Sequence, residues 1–124
     1  MVRMLPLYPK LIQMLFLSGK SSHSSLTFRV YDFFCTLYSE VHNTLIEVYH
    51  TDLSDDNAFG FTEVNGDEQL ISLHDNLNET DYVITLLHEL VHVVQNLRGE
   101  LDDGQRESEA YTLESILYSK FITN

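Results

Sequence analysis

Thr85-Leu86-Leu87-His88-Glu89-Leu90-Val91-His92-Val93-Val94-Gln95 is the stretch on which the rest of the chain turns. On a helix, His88 and His92 stand one turn apart on the same face, where two imidazoles can share one Zn²⁺ at about 2.0–2.1 Å each. Glu89 lies about 100° round from His88. It can therefore reach a water at the ion's open position rather than the ion, which is the H-E-x-x-H arrangement. Leu86, Leu90, Val93 and Leu97 form one apolar stripe, and Leu87, Val91 and Val94 form another beside it. Such a helix is expected to be mostly buried. Unpartnered imidazoles there would be costly to desolvate, and a metal removes the difficulty. The competing reading is a pair of core histidines hydrogen-bonded to backbone.

Three side chains are needed to hold a catalytic zinc. The last helix is expected to begin near Asp103 and run through Glu107, Glu109 and Tyr111 towards Phe121. Stepped at about 100° per residue, Ala110, Leu113, Ile116 and Leu117 surround Glu109. That puts Glu109 inside the apolar arc, while Glu107 and Glu114 fall beyond its edge and read as solvated. An antiparallel return at about 1.5 Å per residue brings Glu109 level with the histidines. The expected site is thus His88, His92 and Glu109 on zinc, with Glu89 as general base. The alternative for Glu109 is a carboxylate at the helix edge on a snorkelling stem.

His88, Glu89, His92 and the downstream Glu109-Ala110 resemble the gluzincin pattern of two histidines and a glutamate on the following helix. The longer run through Gln95, Gly99-Glu100-Leu101 and Glu109-Ala110-Tyr111 resembles short H-E-x-x-H proteins encoded by bacteriophages. It is also similar to minigluzincins, single-domain zinc peptidases of about this size. The resemblance covers about residues 58–113 and is specific around the two helices. It implies Zn²⁺ on His88, His92 and Glu109, with Glu89 as base. Two departures stand out. Leu113 occupies the place where thermolysin-type gluzincins carry an acid that buttresses a histidine. Gln95 and Arg98 occupy the Gly and His places of the metzincin extension.

The chain has 124 residues, a length that suits one domain. Its single cysteine, Cys35, forms no internal disulfide, which suits a reducing compartment. A net charge of −12 argues against nucleic acid as a partner and favours cationic or neutral peptides. Residues 1–30 carry Arg3, Lys10, Lys20 and Arg29 and no acid, whereas all 19 acids lie beyond, against three basic residues. The apolar run Leu11–Leu17 is too short and broken to span a bilayer. Pro6, Pro9 and Lys10 interrupt the targeting pattern, so a dispensable extension or one packed helix turn is preferred to a weak signal for secretion.

From Ser25 to about His42, Leu26, Val30, Phe33, Phe34, Leu37 and Val41 recur at helical spacing, capped by Ser24 or Ser25. Residues 44–49, 59–64 and 69–73 read as strands, with Asn65-Gly66 as a type I′ hairpin turn. The acidic run 52–57 between the first two reads as a solvated turn. Asn78, Thr80 and Asp81 cap the zinc helix.

The expected fold class is α+β, a single zincin-like domain over 23–124 behind an N-terminal extension over 1–22. Its parts are an N-terminal helix, a three-stranded mostly antiparallel sheet, the H-E-x-x-H helix and a glutamate-bearing C-terminal helix. If strand 69–73 forms the sheet edge, its free backbone groups could pair with an extended peptide. The expected function is zinc-dependent peptide-bond hydrolysis on a peptide or protein substrate, with no nucleic acid or membrane partner. The location expected is cytoplasmic, including the host cytoplasm of a phage. Tyr111, Tyr118 and His74 are candidates to stabilise the oxyanion. The alternative is an inert zinc-stabilised interaction protein that keeps the site and has lost turnover.

Overall fold

The computed structural model describes residues 14–21, 23–99 and 101–124. The chain is α+β. Strand β1 (Leu15–Gly19) leads into helix α1 (Ser24–Leu37), a 3-10 turn (Ser39–Asn43) and strand β2 (Leu45–Thr51). A second 3-10 turn (Ser54–Asp56) precedes β3 (Gly60–Asn65) and β4 (Glu68–His74), then helices α2 (Glu79–Arg98) and α3 (Asp103–Thr123).

Among the described residues the sheet has four strands in the order β1-β2-β4-β3, with β1 and β4 parallel to β2 and β3 antiparallel to β4. This corrects the three-stranded, mostly antiparallel expectation. The physical reason is the β1–α1–β2 unit: a parallel pair needs a long crossover, here a helix. The apolar run assigned to an extension supplies the first strand of that unit, so Leu15–Gly19 belongs to the sheet. The rest of the extension, residues 1–13, lies outside the described residues, as do Ser22 at the expected domain boundary and Glu100. Strand β4, expected as a possible edge, sits between β2 and β3.

One face of the sheet carries the core. Ile46 and Val48 of β2 and Ile71 and Leu73 of β4 are fully buried, and they share one cluster with Val30 and Phe34 of α1 and Leu86, Leu87, Leu90 and Val93 of α2. The opposite face leaves Phe16 and Tyr49 exposed. In the β3–β4 hairpin Asn65 pairs with Glu68, so the turn is Gly66-Asp67, one residue later than expected. Only Gly66 has positive φ (62°), which rules out the type I′ form, where both central residues do.

A buried polar network ties four elements together. His50 of β2 donates from Nδ1 to the Ser18 carbonyl of β1 (3.0 Å), and its Nε2 accepts from the Tyr82 hydroxyl of α2 (2.7 Å). The Tyr82 oxygen also bonds Thr27 of α1. Burial, above all, lowers the His50 pKa from its ordinary 6.5, outweighing the Ser18 carbonyl that raises it. Protonation would also turn Nε2 from acceptor into donor against Tyr82.

The unfolded chain therefore binds this proton at higher pH than the folded one. Stability linked to His50 is present above about pH 6.5 and is lost as pH falls below it. Urea unfolding from about pH 8 down to about pH 5 should show wild-type stability falling more steeply than that of His50→Gln. Parallel curves for the two proteins would remove His50 from the pH dependence.

Candidate metal centre

Helix α2 begins at Asn78, whose side chain accepts the Asp81 backbone N–H (2.8 Å), and it is enclosed on two sides. The sheet and α1 cover one flank and α3 the other. This burial carries polar groups with it: His88 is 9 %, His92 6 % and Glu89 4 % exposed. Helix α3 starts with a capping box, in which the Asp102 side chain accepts the Gln105 backbone N–H and the Gln105 side chain accepts that of Asp102. It returns antiparallel to α2, so Glu114 meets His88 while Glu107 reaches His92 one turn further along α2.

The ring nitrogens are divided cleanly between two tasks. His88 Nδ1 donates to Glu114 Oε1 (2.7 Å), and His92 Nδ1 donates to Gln95 Oε1 (2.7 Å). Both Nε2 lone pairs are then turned inward. The two Nε2 atoms lie 3.2 Å apart, with Glu107 Oε1 3.2 Å from His88 Nε2 and Glu107 Oε2 2.9 Å from His92 Nε2. A cation among these groups would relieve the repulsion between inward-facing imidazole lone pairs and the Glu107 carboxylate. Donors bound at about 2.0–2.1 Å in a tetrahedral site are roughly 3.3 Å apart, which these spacings match. The donor set of His88, His92 and Glu107 therefore fits a metal ion such as zinc, and each imidazole is backed at Nδ1 as ligand histidines commonly are. The side chain of Glu107 is 55 % exposed, so the cluster opens to solvent on that side.

Glu89 stands beside the cluster without joining it. Thr62 of β3 donates to Glu89 Oε1 (2.8 Å). Burial raises the Glu89 carboxyl above the usual carboxylate range, while the Thr62 hydrogen bond and the charges of His92 and His88 pull it back. Strand β3 comes this close to α2 because position 60 is glycine. A Cβ there would stand 2.9 Å from the Ser72 carbonyl oxygen and 3.0 Å from Thr85 Cγ2. The strand, α2 and α3 enclose a cleft of about 790 Å³, whose lining includes Phe59, Thr62, His88, Glu89, Glu107 and Tyr111.

His88, His92 and Glu89 thus come together as the motif leads one to expect. The carboxylate placed against the two Nε2 atoms is that of Glu107 rather than Glu109, which accepts from Gln95 Nε2 instead (2.9 Å). The reason is helix phase. Only Ala110 and Leu117 of α3 are fully buried, whereas Ile116 is 48 % exposed. The buried pair Ala110 and Leu117 centres the inward face about 90° round from Glu109, nearer to Glu114 and Glu107 at about 50° and 70° on its other side. A sequence signal existed: Glu107, Ala110, Glu114, Leu117 and Phe121 recur at alternating spacings of three and four, the seam of an antiparallel helix pair. Thr62 had no such signal, because a strand residue's partner across the fold leaves no spacing to read. Of the oxyanion candidates, Tyr111 lines the cleft with its ring 4.8 Å from that of His88. His74 Nδ1 accepts the Leu53 N–H (3.0 Å) away from the cleft.

Comparison with family models, with curated proteins and with solved structures finds no match to this chain. The resemblance to gluzincins rests on the motif residues themselves.

Ion binding to the folded state alone should stabilise it by mass action, by about 2.7 kcal/mol at a hundredfold excess over Kd. For a chain of this size that corresponds to a rise in melting temperature of roughly 10 °C. Thermal unfolding with Zn²⁺ and with chelator should differ by this amount in wild type. The difference should vanish in His92→Ala and in Glu107→Ala and persist, reduced, in Glu109→Ala. Loss of the difference in Glu109→Ala with its retention in Glu107→Ala would return Glu109 to the ligand set.

Proposed function

We propose that the protein is a minimal, zincin-type peptidase of gluzincin-like design, hydrolysing peptide bonds in the cleft between α2, α3 and β3. The observation that carries this reading is the convergence of the His88 and His92 Nε2 atoms with the Glu107 carboxylate, beside the buried carboxylate of Glu89. Zn²⁺ held by those three residues would polarise the scissile carbonyl and make the attacking water more acidic.

The chain's own groups account for the proton. Thr62 fixes Glu89 through Oε1, and Oε2 is left to accept a proton from water and return it to the departing amine. Tyr111, on the α3 wall, is the cleft phenol that can donate to the developing oxyanion. Strand β3 is a sheet edge whose residues 60–62 line the cleft, so its outward backbone groups can align an extended peptide along the site. The partner proposed is a peptide or protein; the net charge of −12 disfavours nucleic acid. No helix among the described residues is long and apolar enough to cross a membrane. The location proposed is a cytoplasm, including that of a phage-infected host.

Glu89→Gln keeps the acceptor for Thr62 and the three ligands but removes the base. It should retain stoichiometric zinc and the fold while lowering peptide hydrolysis by at least about 10²-fold. Purified wild type and variant would be compared on a mixed peptide library, with metal content measured in the same samples. Equal cleavage by both would remove Glu89 from the mechanism. A zinc-loaded wild type that cleaves nothing would make the protein a zinc-stabilised interaction module instead.

A further inference from the structure

Gln95 is buried (4 % exposed), one turn beyond the second histidine, and it bonds three groups at once. Its Oε1 accepts from His92 Nδ1 (2.7 Å), and its Nε2 donates both to the Arg106 carbonyl (3.0 Å) and to Glu109 Oε1 (2.9 Å). With both N–H groups committed to acceptors on α3, the amide cannot flip, and only its oxygen can face the imidazole. The α3 end of this clamp is itself held. Arg106 Nη2 donates to Asn96 Oδ1 (2.6 Å), Asn96 Nδ2 to Gln69 Oε1 (2.9 Å), and Gln69 Nε2 to the Val93 carbonyl (3.2 Å).

We infer that Gln95 is the positioning residue for His92, that Glu109 and the Arg106 carbonyl set its orientation, and that the position requires an amide rather than a carboxylate. The inference rests on the metal reading above for its consequence, though not for its geometry. A carboxylate normally strengthens a ligand histidine. At position 95, however, it would offer the imidazole one oxygen and turn the other against two acceptors, the Arg106 carbonyl and the Glu109 carboxylate. An amide satisfies all three contacts. Glu109, which the helix phase had placed on the metal, acts instead on His92 through two hydrogen bonds by way of Gln95, keeping it in the Nδ1–H tautomer that leaves Nε2 free.

The test uses the full chain. Long-range ¹H–¹⁵N NMR on metal-free protein at about pH 8, where free imidazoles are neutral, reads the His92 tautomer directly. Chelator competition with Zn²⁺ reads affinity. Wild type should show His92 protonated at Nδ1. Gln95→Met, which keeps the shape and loses the acceptor, should shift His92 towards the Nε2–H form and weaken zinc binding about 10–100-fold. Gln95→Glu should weaken it as well. The exchanged pair Gln95→Glu/Glu109→Gln should recover part of the loss, because the amide introduced on α3 can donate where that of Gln95 did. Should Gln95→Met fail to fold, the exposed-site variant Glu109→Ala carries the same expectation at several-fold. Wild-type tautomer and affinity in the folded Gln95→Met or Glu109→Ala protein would overturn the inference, as would tighter zinc binding by Gln95→Glu. A locked tautomer in a protein that binds no zinc would refute the metal reading and leave the clamp standing.

Discussion

Two buried imidazoles, one turn apart on a helix enclosed on both flanks, set the terms for the rest of the molecule. Each needs polar partners at both ring nitrogens, because an unpaired polar group in such surroundings costs on the order of 1–3 kcal/mol. Helix α3 answers that need. It buries only Ala110 and Leu117 completely, yet it brings Glu107 to both Nε2 atoms, Glu114 to one Nδ1 and the clamp for Gln95 to the other. A fully buried leucine contributes about 1.5–3 kcal/mol, so two buried positions are a thin apolar anchor for 21 residues. Leu113, Tyr118 and Phe121 pack partly buried against the core, so the docking of α3 combines apolar contact with directional polar contacts converging on one point. The same contacts define the site.

How much of this could be read in advance depended on what each element buries. Helix α2 was legible because its stripes fill two sides and its motif has a fixed spacing. Helix α3 was legible as a helix but not in phase. With Ile116 and Ile122 exposed, its apolar residues scatter too widely for their mean direction to mark the inner face. The hairpin was visible through Asn65-Gly66, but its register was settled by cross-strand pairing, which shifted the turn by one residue. Strand β1 was hidden. Its five residues follow prolines and lysine, and its partner β2 lies beyond a helix, so only the closed β1–α1–β2 unit explains why that run is extended.

The cleft brings the fold's two kinds of order to one place. Thr62 faces α2 because period-two alternation sends it inward, and Gly60 lets the strand approach within contact of Thr85. A larger residue at 60 would push β3 outward and carry the Thr62 hydroxyl away from Glu89. The position of the base therefore depends on a missing side chain two residues away on another element. That dependence cannot be read from either segment alone, and it gives the edge strand a part in the site beyond forming its wall.

Charge explains why the two histidines are backed differently. Glu107 lies against both Nε2 atoms, Glu114 backs His88 at Nδ1, and Glu89 is buried alongside, so three carboxylates already lie around the two rings. A divalent ion bound there would offset two of those charges. A fourth carboxylate behind His92 would add a charge at a position only 4 % exposed, where desolvation costs several kcal/mol unless a partner is found, and the neighbouring groups are themselves acceptors. The neutral amide of Gln95 orients its ring as a carboxylate would, without adding to that excess. The exposed Glu109 then places the matching negative charge one residue further out, where water screens it and where it can still hold the amide in place.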